Sequence, residues 1–536
     1  MSRHSTRLIF AFLIATCGFA QPAIMSTEVV NSASFLVQGM PGSGIAQGSI
    51  FTIFGTGLGP AALVQAGPLP LQTLLGGTSV TVTVGGQTVK AYILAAVSYQ
   101  VNALLPSTAP TGSGFVTVTF NNQTSAPEPV QIVTASFGTY TFNSGGTGQA
   151  SATDLNYVSN SIIRTFHPGD WVILWGTGLG PINGDDSKAP PVGNIGSPTV
   201  YIGNTSLTPY YAGRSAQYPG LDQVAFQIPS GIQGCNVPVA VGTNGVVSHA
   251  TTIAVSTSGQ TCSDSLLGQD LITKLASGGT VDFGFVQLSA IILRFQSLPA
   301  GIQAPDFGQA TFSEFTPQTA GFASYGVSQG YCITTNDPDM SPGQLDAGAA
   351  ITVQGLSTAT VPQAVPGWGF YYLFFNSGAQ FFWSGLNYSV SAPGGAKVGA
   401  FSVSDTTSVP SAYFSGIIAG QTIPRSSDFT VTWTGGDPTL ENGMVTIAGA
   451  SWGTSSGGLF GGFMCTAPLS AKSFTIPKWV LSTLAPSATG YIGVAPYPMG
   501  DIWIGQANNP VVFQAKGLDR GVLMDEFYNG YPVYFQ

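Results

Sequence analysis

Residues 49–60 read SIFTIFGTGLGP, and residues 170–181 read DWVILWGTGLGP. The two segments align without a gap, because 176 − 55 and 180 − 59 both give an offset of 121 between matching glycines. Further along, YQVNALLP at 99–106 matches DQVAFQIP at 222–229, and a valine-rich run follows each of them, first GFVTVTF and then CNVPVAV. Segments that recur in the same order indicate a tandem duplication.

Each copy consists of short runs of β-branched and aromatic residues that are bounded by Gly, Pro and Asn. This pattern is typical of a β-sandwich, and neither copy shows a helical period over three turns. We therefore predict an all-β chain of tandem immunoglobulin-like β-sandwich domains. Repeat 1 covers residues 27–135, and repeat 2 covers residues 136–257.

The region after Cys262 differs from both copies. Strand signals such as AIILRF and GFYYLFF continue to a Thr/Ser/Pro stretch, DTTSVPSA, which begins at Asp405. We place a boundary there, between a β-rich domain at 263–405 and a C-terminal β-sandwich-like domain at 406–536. The sequence leaves open whether these segments form one domain or two. The segment IPKWVLSTL, from Ile476, is predicted as one short helix or an edge segment.

Charged residues are scarce in this chain. The 536 residues include 71 Gly and 36 Pro but only 7% Asp, Glu, Lys and Arg, whereas an ordinary domain carries roughly 25%. The net charge of −9 and the 14 scattered Lys and Arg residues leave no basic stripe for phosphates, which excludes nucleic acid as a partner. So few titrating groups also predict that stability varies little with pH in the acidic range.

The N-terminus has the three parts of a secretory signal peptide: a basic start, an apolar run at 8–15 and small residues that end at Ala20. We predict a signal peptide at 1–20 with cleavage after Ala20. No later segment has 18 or more uninterrupted apolar residues, so we predict no transmembrane helix in the mature chain. The protein is then secreted, extracellular or at the cell surface. Lipidation of Cys17 is the alternative.

Four cysteines remain after the predicted cleavage: Cys235, Cys262, Cys332 and Cys465. An even number in an exported chain points to disulfides. We favour a bond between Cys235 and Cys262, because the two would close one end of a domain. Cys332 then pairs with Cys465 by elimination. Free buried thiols are the alternative.

The repeated phrases carry a family resemblance. IFGTGLGP and LWGTGLGP resemble the strand-and-turn signature of immunoglobulin-like IPT/TIG domains. The longer pattern of VNSASF, GTGLGP and VYIGNTSLTPYYAGRSAQYPGLDQVAFQIPSGIQGCNVPVAV resembles a secreted repeat of unknown function that is common in acidobacterial (Solibacter-type) proteins. The match covers residues 27–257, and repeat 1 lacks the AGRSAQYPGLDQ segment. The resemblance implies export and an immunoglobulin-like fold, and it implies no catalytic residues.

Two catalytic motifs fail on their context. A dinucleotide loop needs G-x-G-x-x-G at the start of a helix, whereas GTGLGP has closer glycines and ends in proline, so we assign its glycines to a turn or bulge beside a strand. GASWG at 449–453 matches a nucleophile elbow at Ser451, but the last histidine, His249, lies upstream, so the order of a hydrolase triad is not met. His167 and His249 have no nearby carboxylates with which to form a zinc site. We predict no catalytic residue, cofactor or metal site.

Two loops offer clustered oxygen atoms of the kind that Ca²⁺ binds, NGDD at 183–186 and NDPD at 336–339. Neither has the register of an EF-hand, and such clusters are ordinary turn formers. The sequence leaves calcium binding open.

The most aromatic stretch is WGFYYLFFNSGAQFFW at 368–383. Read as a strand, it presents aromatic residues on both faces, so the second face needs a partner. One interpretation is burial against a neighbouring domain or loop. The other is a platform for sugar rings, with these candidate ligand-binding residues: Trp368, Tyr371, Tyr372 and Trp383.

These observations predict a secreted, non-catalytic, multi-domain protein with a structural or adhesive role at the cell envelope or extracellular matrix. Its expected partners are cell-envelope components. The alternative is a carbohydrate-binding protein that binds polysaccharide through the aromatic residues of its C-terminal half. An unrecognised hydrolase is the third interpretation, because 23 acidic residues leave room for a pair of catalytic carboxylates.

Overall fold

A computed structural model describes residues 21–262, 266–295, 298–303, 307–320, 326–335, 345–355, 358–364, 369–374, 385–407, 412–454, 459–492 and 495–536. The predicted signal peptide at 1–20 lies outside this part of the chain. The described elements are almost all β-strands, arranged in tandem β-sandwiches, which confirms the predicted fold class.

Repeat 1 contains the strands β1 Ala23–Asn31, β2 Ile45–Ala46, β3 Ile50–Thr56, β4 Val64–Gln65, β5 Thr78–Val84, β6 Gln87–Val97, β7 Gln100–Leu104, β8 Gly112–Phe120, β9 Gln123–Thr124 and β10 Glu128–Val133. Along β5, the buried residues Val80, Val82 and Val84 alternate with half-exposed ones, as expected for a strand that covers a core with one face. The long strand β6 pairs with β5 on one side of the sandwich and with β7 on the other.

Repeat 2 contains the strands β11 Gly138–Thr139, β12 Gly148–Gln149, β13 Ala152–Thr153, β14 Trp171–Thr177, β15 Thr199–Ile202, β16 Thr205–Leu207, β17 Tyr211–Arg214, β18 Asp222–Gln227, β19 Gly234–Thr243, β20 Val246–Val247 and β21 Thr251–Val255. One sheet has the order β11-β14-β18-β17, with β13 also paired to β14. The other has the order β12-β21-β19-β15-β16, with β20 also paired to β19.

A proline explains why one strand of repeat 1 corresponds to two strands of repeat 2. Pro209 lies between β16 and β17. It aligns with Ala91 of β6 at an offset of 118 residues, which is also the offset between Gly203 and Gly85 in the turns before these strands. Proline has no N–H to donate to a strand ladder. The strand therefore breaks, and its two parts join different sheets.

Each GTGLGP segment starts at the end of a strand, β3 or β14, and continues as a turn. Gly57 and Gly178 adopt left-handed backbone conformations, with φ of +65° and +108°. A Cβ atom at Gly55 or at Gly176 would collide with a carbonyl oxygen of the neighbouring strand. These glycines serve the scaffold, as their spacing predicts.

The C-terminal region contains α1 Gly268–Ala276, β22 Val281–Phe295, β23 Leu298–Gln303, β24 Phe307–Phe315, β25 Cys332–Thr335, β26 Ala350–Gln354, β27 Thr358–Pro362, β28 Phe370–Phe374, β29 Asn387–Ala392, β30 Phe401–Thr406, β31 Ala412–Ser415, β32 Thr422–Ile423, β33 Phe429–Gly435, β34 Met444–Trp452, β35 Phe460–Pro468, β36 Ser473–Ile476, α2 Lys478–Leu481, β37 Thr489–Ile492, β38 Ala495–Pro498, β39 Gly500–Ala507, β40 Val511–Phe513, β41 Arg520–Pro532 and β42 Tyr534–Phe535.

One mixed sheet runs through this region, in the order β25-β35-β34-β39-β41-β22-β24-β28. Its strands β22 and β41 are parallel, although they lie at opposite ends of the region. Backbone hydrogen bonds therefore join strands from both sides of the boundary placed between 263–405 and 406–536. The Thr/Ser/Pro stretch at that boundary connects β30 to β31, and the two segments share the large sheet.

Two smaller sheets pack on the large one. The sheet β27-β26-β29-β30 shares a core with it that includes Val353, Val390, Leu523 and Phe527. The sheet β31-β33-β36 shares a second core with it, which includes Trp433, Ile447 and Phe463. The short helix expected after Ile476 is α2, whereas α1 was not predicted.

The two disulfides have the pairing that the sequence analysis favoured. Cys235 is bonded to Cys262 in a core that also contains α1, at the end of repeat 2. Cys332 is bonded to Cys465, its direct partner in the antiparallel pair of β25 and β35. The second bond therefore joins strands from both sides of the 405/406 boundary.

Candidate functional site

The predicted aromatic platform lies only partly within the described residues. Trp368 and Trp383 fall outside them, whereas Tyr371 and Tyr372 belong to β28. Tyr371 is fully buried, and its hydroxyl donates to the carbonyl oxygen of Gly348 over 2.6 Å. A ring that is enclosed in this way cannot stack on a sugar. The ligand-binding role predicted for Tyr371 is therefore corrected to a structural one.

Both faces of β28 are buried at Phe370 and Tyr371. The two side chains point to opposite sides of the strand, and both are inaccessible to solvent. The ring of Tyr371 stands edge-on to Phe312, with 5.9 Å between the ring centroids, in the core beneath the four-stranded sheet. For these residues the structure agrees with the interpretation of burial between sheets.

The other residues singled out from the sequence do not form a catalytic group. Ser451 is buried inside β34, and its hydroxyl donates to the carbonyl oxygen of Ala485 over 2.7 Å. His167 lies in a surface turn with Nδ1 3.2 Å from Asp170, so the expectation that this histidine has no nearby carboxylate was wrong. His249 is buried, which lowers its pKa to about 4. Within the described ranges, no group of three or more His, Cys, Asp or Glu side chains is placed to hold a metal.

The acidic loop at 183–186 has a structural use. Asp186 is buried, and its carboxylate accepts hydrogen bonds from the backbone N–H of Ser107 over 2.7 Å and from the Ser107 hydroxyl over 2.8 Å. This carboxylate joins repeat 2 to repeat 1. The other acidic loop, 336–339, lies outside the described residues.

The contact between the two repeats, called the junction below, is centred on a buried ion pair. The side chains of Arg214 and Asp222 are 1% and 0% exposed and pair directly. The guanidinium group also donates to the carbonyl oxygens of Gly48 in repeat 1 and of Gly180 in repeat 2. Asp222 accepts a further hydrogen bond from the N–H of Leu179 over 2.8 Å. Because a buried charge needs such partners, these contacts fix one arrangement of the repeats.

Both members of the ion pair belong to AGRSAQYPGLDQ, residues 212–223, where repeat 1 has a shorter segment with Ala96 at the position of Arg214 and Tyr99 at the position of Asp222. The same segment supplies Gly220, whose carbonyl oxygen accepts a hydrogen bond from the Thr177 hydroxyl over 2.7 Å. The Thr177 oxygen in turn accepts from the N–H of Ile50 in repeat 1 over 2.9 Å. The additional segment of repeat 2 therefore builds much of the junction.

The outer face of the sheet that contains β14 carries aromatic side chains. Trp171 and Trp175 point outward from β14, at positions separated by two strand periods. Tyr210, 78% exposed, stands edge-on to Trp171, with 5.3 Å between the ring centroids. Tyr157, 66% exposed, lies beside Trp175, with 6.0 Å between the ring centroids. These four residues are called the aromatic face below.

Uncharged polar groups lie among these rings. Gln227 and Gln223, on β18, are the cross-strand partners of Trp171 and Trp175. The indole N–H of Trp175 donates to the Thr153 hydroxyl over 3.1 Å. The outward-pointing residues of β13, β14, β17 and β18, strands that are described in full, include none that is charged.

The aromatic face is not among the ligand-binding residues that the sequence predicts. The pattern of WVILW predicts only the strand before the repeated phrase. A signal was present in the alignment of the copies, where Trp171 and Trp175 occupy the positions of Ile50 and Phe54 in repeat 1. Large aromatic residues at two outward positions of one strand indicate an exposed apolar patch.

The C-terminal region contains buried carboxyl groups that accept hydrogen bonds from hydroxyl and amide groups. Asp525 accepts hydrogen bonds from the Tyr388 hydroxyl over 3.1 Å and from the Asn508 amide over 2.8 Å. Burial, and next the nearby charge of Asp405, raise the pKa of Asp525 to about 7. Burial also raises the pKa of Glu526, the next residue along β41. These groups make the stability of the region depend on pH.

No known protein family matches the chain, and no curated protein matches it. Solved structures align with it only weakly. The S-layer protein rSbsC is 13% identical with a TM-score of 0.19, and the alignment covers 95% of this chain and 54% of that protein. This chain thus spans about half the length of rSbsC.

Two further structures give similar values. The FN1–FN3 domains of chicken CNTN1 are 7% identical with a TM-score of 0.12, over 73% of this chain and 99% of those domains. SGBP-B, from a xyloglucan utilization locus in Bacteroides uniformis, is 9% identical with a TM-score of 0.16, over 96% of this chain and 100% of that protein. Alignments this weak carry no argument about function, which rests on the residues described above.

Proposed function

We propose that this protein is a non-catalytic extracellular protein with a structural or adhesive role at the cell envelope or extracellular matrix. The junction carries the proposal, because its buried ion pair fixes the two repeats as one unit. Two disulfides agree with an oxidising, extracellular location. Among the described residues, no helix is long and apolar enough to cross a membrane.

Repeat 2 is also joined to the C-terminal region. The hydroxyl of Thr334 accepts a hydrogen bond from the N–H of Ala250 over 2.7 Å. The rings of Tyr201 and Trp479 stack with 5.8 Å between their centroids. These polar and aromatic contacts join repeat 2 to the C-terminal region, as we expect in a structural component.

The test is association of the purified chain, residues 21–536, with cell envelopes of the source organism. We expect the protein to sediment with the envelopes in a saturable manner, or to form ordered assemblies visible by electron microscopy. An unrelated secreted β-sandwich protein of similar net charge serves as the control. A chain that stays in the supernatant and remains monomeric at all concentrations would contradict the proposal.

A second candidate function is carbohydrate binding, and the aromatic face of repeat 2 favours it. The sequence analysis expected this function in the C-terminal half, where Tyr371 is now assigned to the core. Instead, the exposed rings of Tyr157 and Tyr210 lie beside two half-buried tryptophans of β14 and the amide side chains of β18.

A further inference from the structure

We propose that the aromatic face of repeat 2 is a binding site for a neutral polysaccharide chain. The inference goes beyond a structural role, because a structural block has no need for two largely exposed tyrosine rings, Tyr157 and Tyr210, beside the half-buried rings of Trp171 and Trp175. It assigns a site and a ligand class to repeat 2, and it holds or fails independently of envelope association.

The rings form two pairs along one strand. Trp171 and Trp175 are four residues apart, which places their Cα atoms about 13 Å apart at the usual rise of a strand. Each tryptophan has one exposed tyrosine beside it, Tyr210 at one end and Tyr157 at the other. An extended chain laid along β14 would contact both pairs, whereas a single small molecule would contact only one.

The chemistry of the face fits a neutral sugar polymer. Ring faces pack against apolar C–H surfaces, and tyrosine hydroxyls present a polar edge to the same ligand. The amides of Gln223 and Gln227 add donors and acceptors for sugar hydroxyls. No outward residue of the four strands is charged, so the face offers nothing to pair with carboxylate or sulfate groups on a polymer.

Repeat 1 shows how the same surface looks when a protein domain covers it. Ile50 occupies the position of Trp171, and it lies against Gly220 of repeat 2, where an added Cβ would come within 2.6 Å of the Ile50 side chain. Tyr92 occupies the position of Tyr210 at the same offset of 118 residues that aligns Ala91 with Pro209. The side chain of Ser187, in a loop of repeat 2, is hydrogen-bonded to Tyr92. At the position that Gly220 covers, repeat 1 thus has the aliphatic Ile50, whereas the open copy has Trp171.

A further repeat cannot cover repeat 2 in the same way within this chain. The groups that dock onto repeat 1, Arg214, Asp222 and Asp186, all come from repeat 2, where they are already used. Repeat 1 has Ala96 at the position of Arg214 by the same offset, and it lacks the inserted segment. A domain like repeat 1 therefore has no groups with which to dock onto the end of repeat 2, which favours a ligand other than a repeat.

The experiment is affinity gel electrophoresis of the whole chain, residues 21–536, in gels that contain hydroxyethyl cellulose, xyloglucan, glucomannan or soluble starch. A gel with polygalacturonate tests an anionic polymer. The variants are Trp171→Ala, Trp175→Ala and the double variant. Tyr99→Ala is the matched control, because Tyr99 is 62% exposed but lies in repeat 1.

We expect at least one neutral polymer to retard the wild-type protein and the control equally. Each tryptophan variant should bind about tenfold or more weakly, which is the effect of removing a central aromatic contact. Trp171→Phe should retain part of the binding, and circular dichroism should show the same melting curve for it and the wild type. That conservative variant keeps the result interpretable if an alanine variant unfolds.

Three results would overturn the proposal. The first is retardation by none of the neutral polymers, and the second is retardation that the tryptophan variants leave unchanged. The third is concentration-dependent dimerisation that Trp171→Ala abolishes without any polysaccharide binding, since the face would then join two copies of the chain. Loss of binding in the variants while envelope sedimentation persists would support this site and leave the structural proposal intact.

Discussion

The two repeats share a frame down to the placement of single rings. Phe35 and Phe54 in repeat 1 lie 6.3 Å apart, centroid to centroid, and the matching pair of Tyr157 and Trp175 lies 6.0 Å apart. Phe35 and Tyr157 both adopt left-handed backbone conformations, with φ of +51° and +61°. A conformation that is costly for aromatic residues is thus a feature of the repeat and not of one binding site.

The two repeats differ in what packs against the N-terminal end of the strand before the repeated phrase, β3 in repeat 1 and β14 in repeat 2. A Cβ on Gly48, in repeat 1, would collide with Arg214, whereas a Cβ on the matching Gly169 would meet no atom within 4 Å. Repeat 1 is covered at this end, and repeat 2 is open. The two repeats therefore share one fold, and the residues at each end differ according to whether that end meets a protein neighbour or solvent.

The largest expected effect comes from removing one half of the junction ion pair. Asp222→Ala leaves Arg214 buried without its carboxylate, which should lower the free energy of unfolding by about 3–5 kcal/mol. The matched control is Lys188→Ala, which removes an exposed pair with Asp185 and should cost less than about 1 kcal/mol. Urea unfolding, followed by tryptophan fluorescence, measures both. Equal effects in the two variants would show that the junction does not depend on this pair.

The second comparison is between the repeats, which bury a compensated ion pair, and the C-terminal region, whose buried carboxyl groups accept hydrogen bonds from hydroxyl and amide groups. Asp525 has a raised pKa of about 7, so the folded state keeps a proton that the unfolded state loses above about pH 4. Its contribution to stability is full below pH 4 and is lost as the pH rises to 7. The raised pKa of Glu526 acts in the same direction.

His249 opposes this trend, because its pKa is lowered to about 4 and its contribution is lost as the pH falls from 6.5 towards 4. Buried carboxyl groups with a raised pKa outnumber this one imidazole, since burial also raises the pKa of Glu441 and of Asp501 to about 7. We therefore expect stability to rise as the pH falls from 7.5 to 5.5. Asp525→Asn should flatten the rise. Melting curves of both proteins that drop on acidification would refute this assignment.

The smallest of these effects tests the two matched glycines. Gly48 and Gly169 both have positive φ, +68° and +92°, so alanine at either position carries backbone strain. Only Gly48→Ala also forces a contact with Arg214 across the junction and one with Ser107, the residue of repeat 1 that binds Asp186. We expect it to cost about 1–3 kcal/mol more than Gly169→Ala. Equal losses of unfolding free energy in the two variants, measured with denaturant, would show that the junction accommodates the added methyl group without a steric cost.

The alignment of the repeats was enough to predict the sandwich fold, because short strands bounded by glycine and proline are typical of a β-sandwich. It was also enough to dismiss Ser451 as a nucleophile. The shared sheet of the C-terminal region was not predictable, since the pairing of β22 with β41 depends on contacts between residues more than 200 positions apart. Helix α1 was missed because it is a single short element between strands.

The pH behaviour and the site were missed for a related reason. A count of charged residues predicts little pH dependence of stability. Burial, however, sets how far the pKa of each group shifts on folding, as Asp525 shows. The aromatic stretch at 368–383 is notable for its density of rings, whereas Trp171 and Trp175 matter because they point outward beside the exposed rings of Tyr210 and Tyr157. Which face of a strand stays open is a property of packing between domains, and one sequence does not reveal it.

The most direct test of the comparison is amide hydrogen exchange on the wild-type chain and on Asp222→Asn. Peptides from 48–52 and 176–182 at the junction should exchange slowly in the wild type, since the N–H groups of Ile50 and Leu179 are bonded across or within it. In the variant both should exchange faster, while 168–172 at the open end stays unchanged. Unaltered exchange at the junction would contradict the claim that the segment unique to repeat 2 holds the two repeats together.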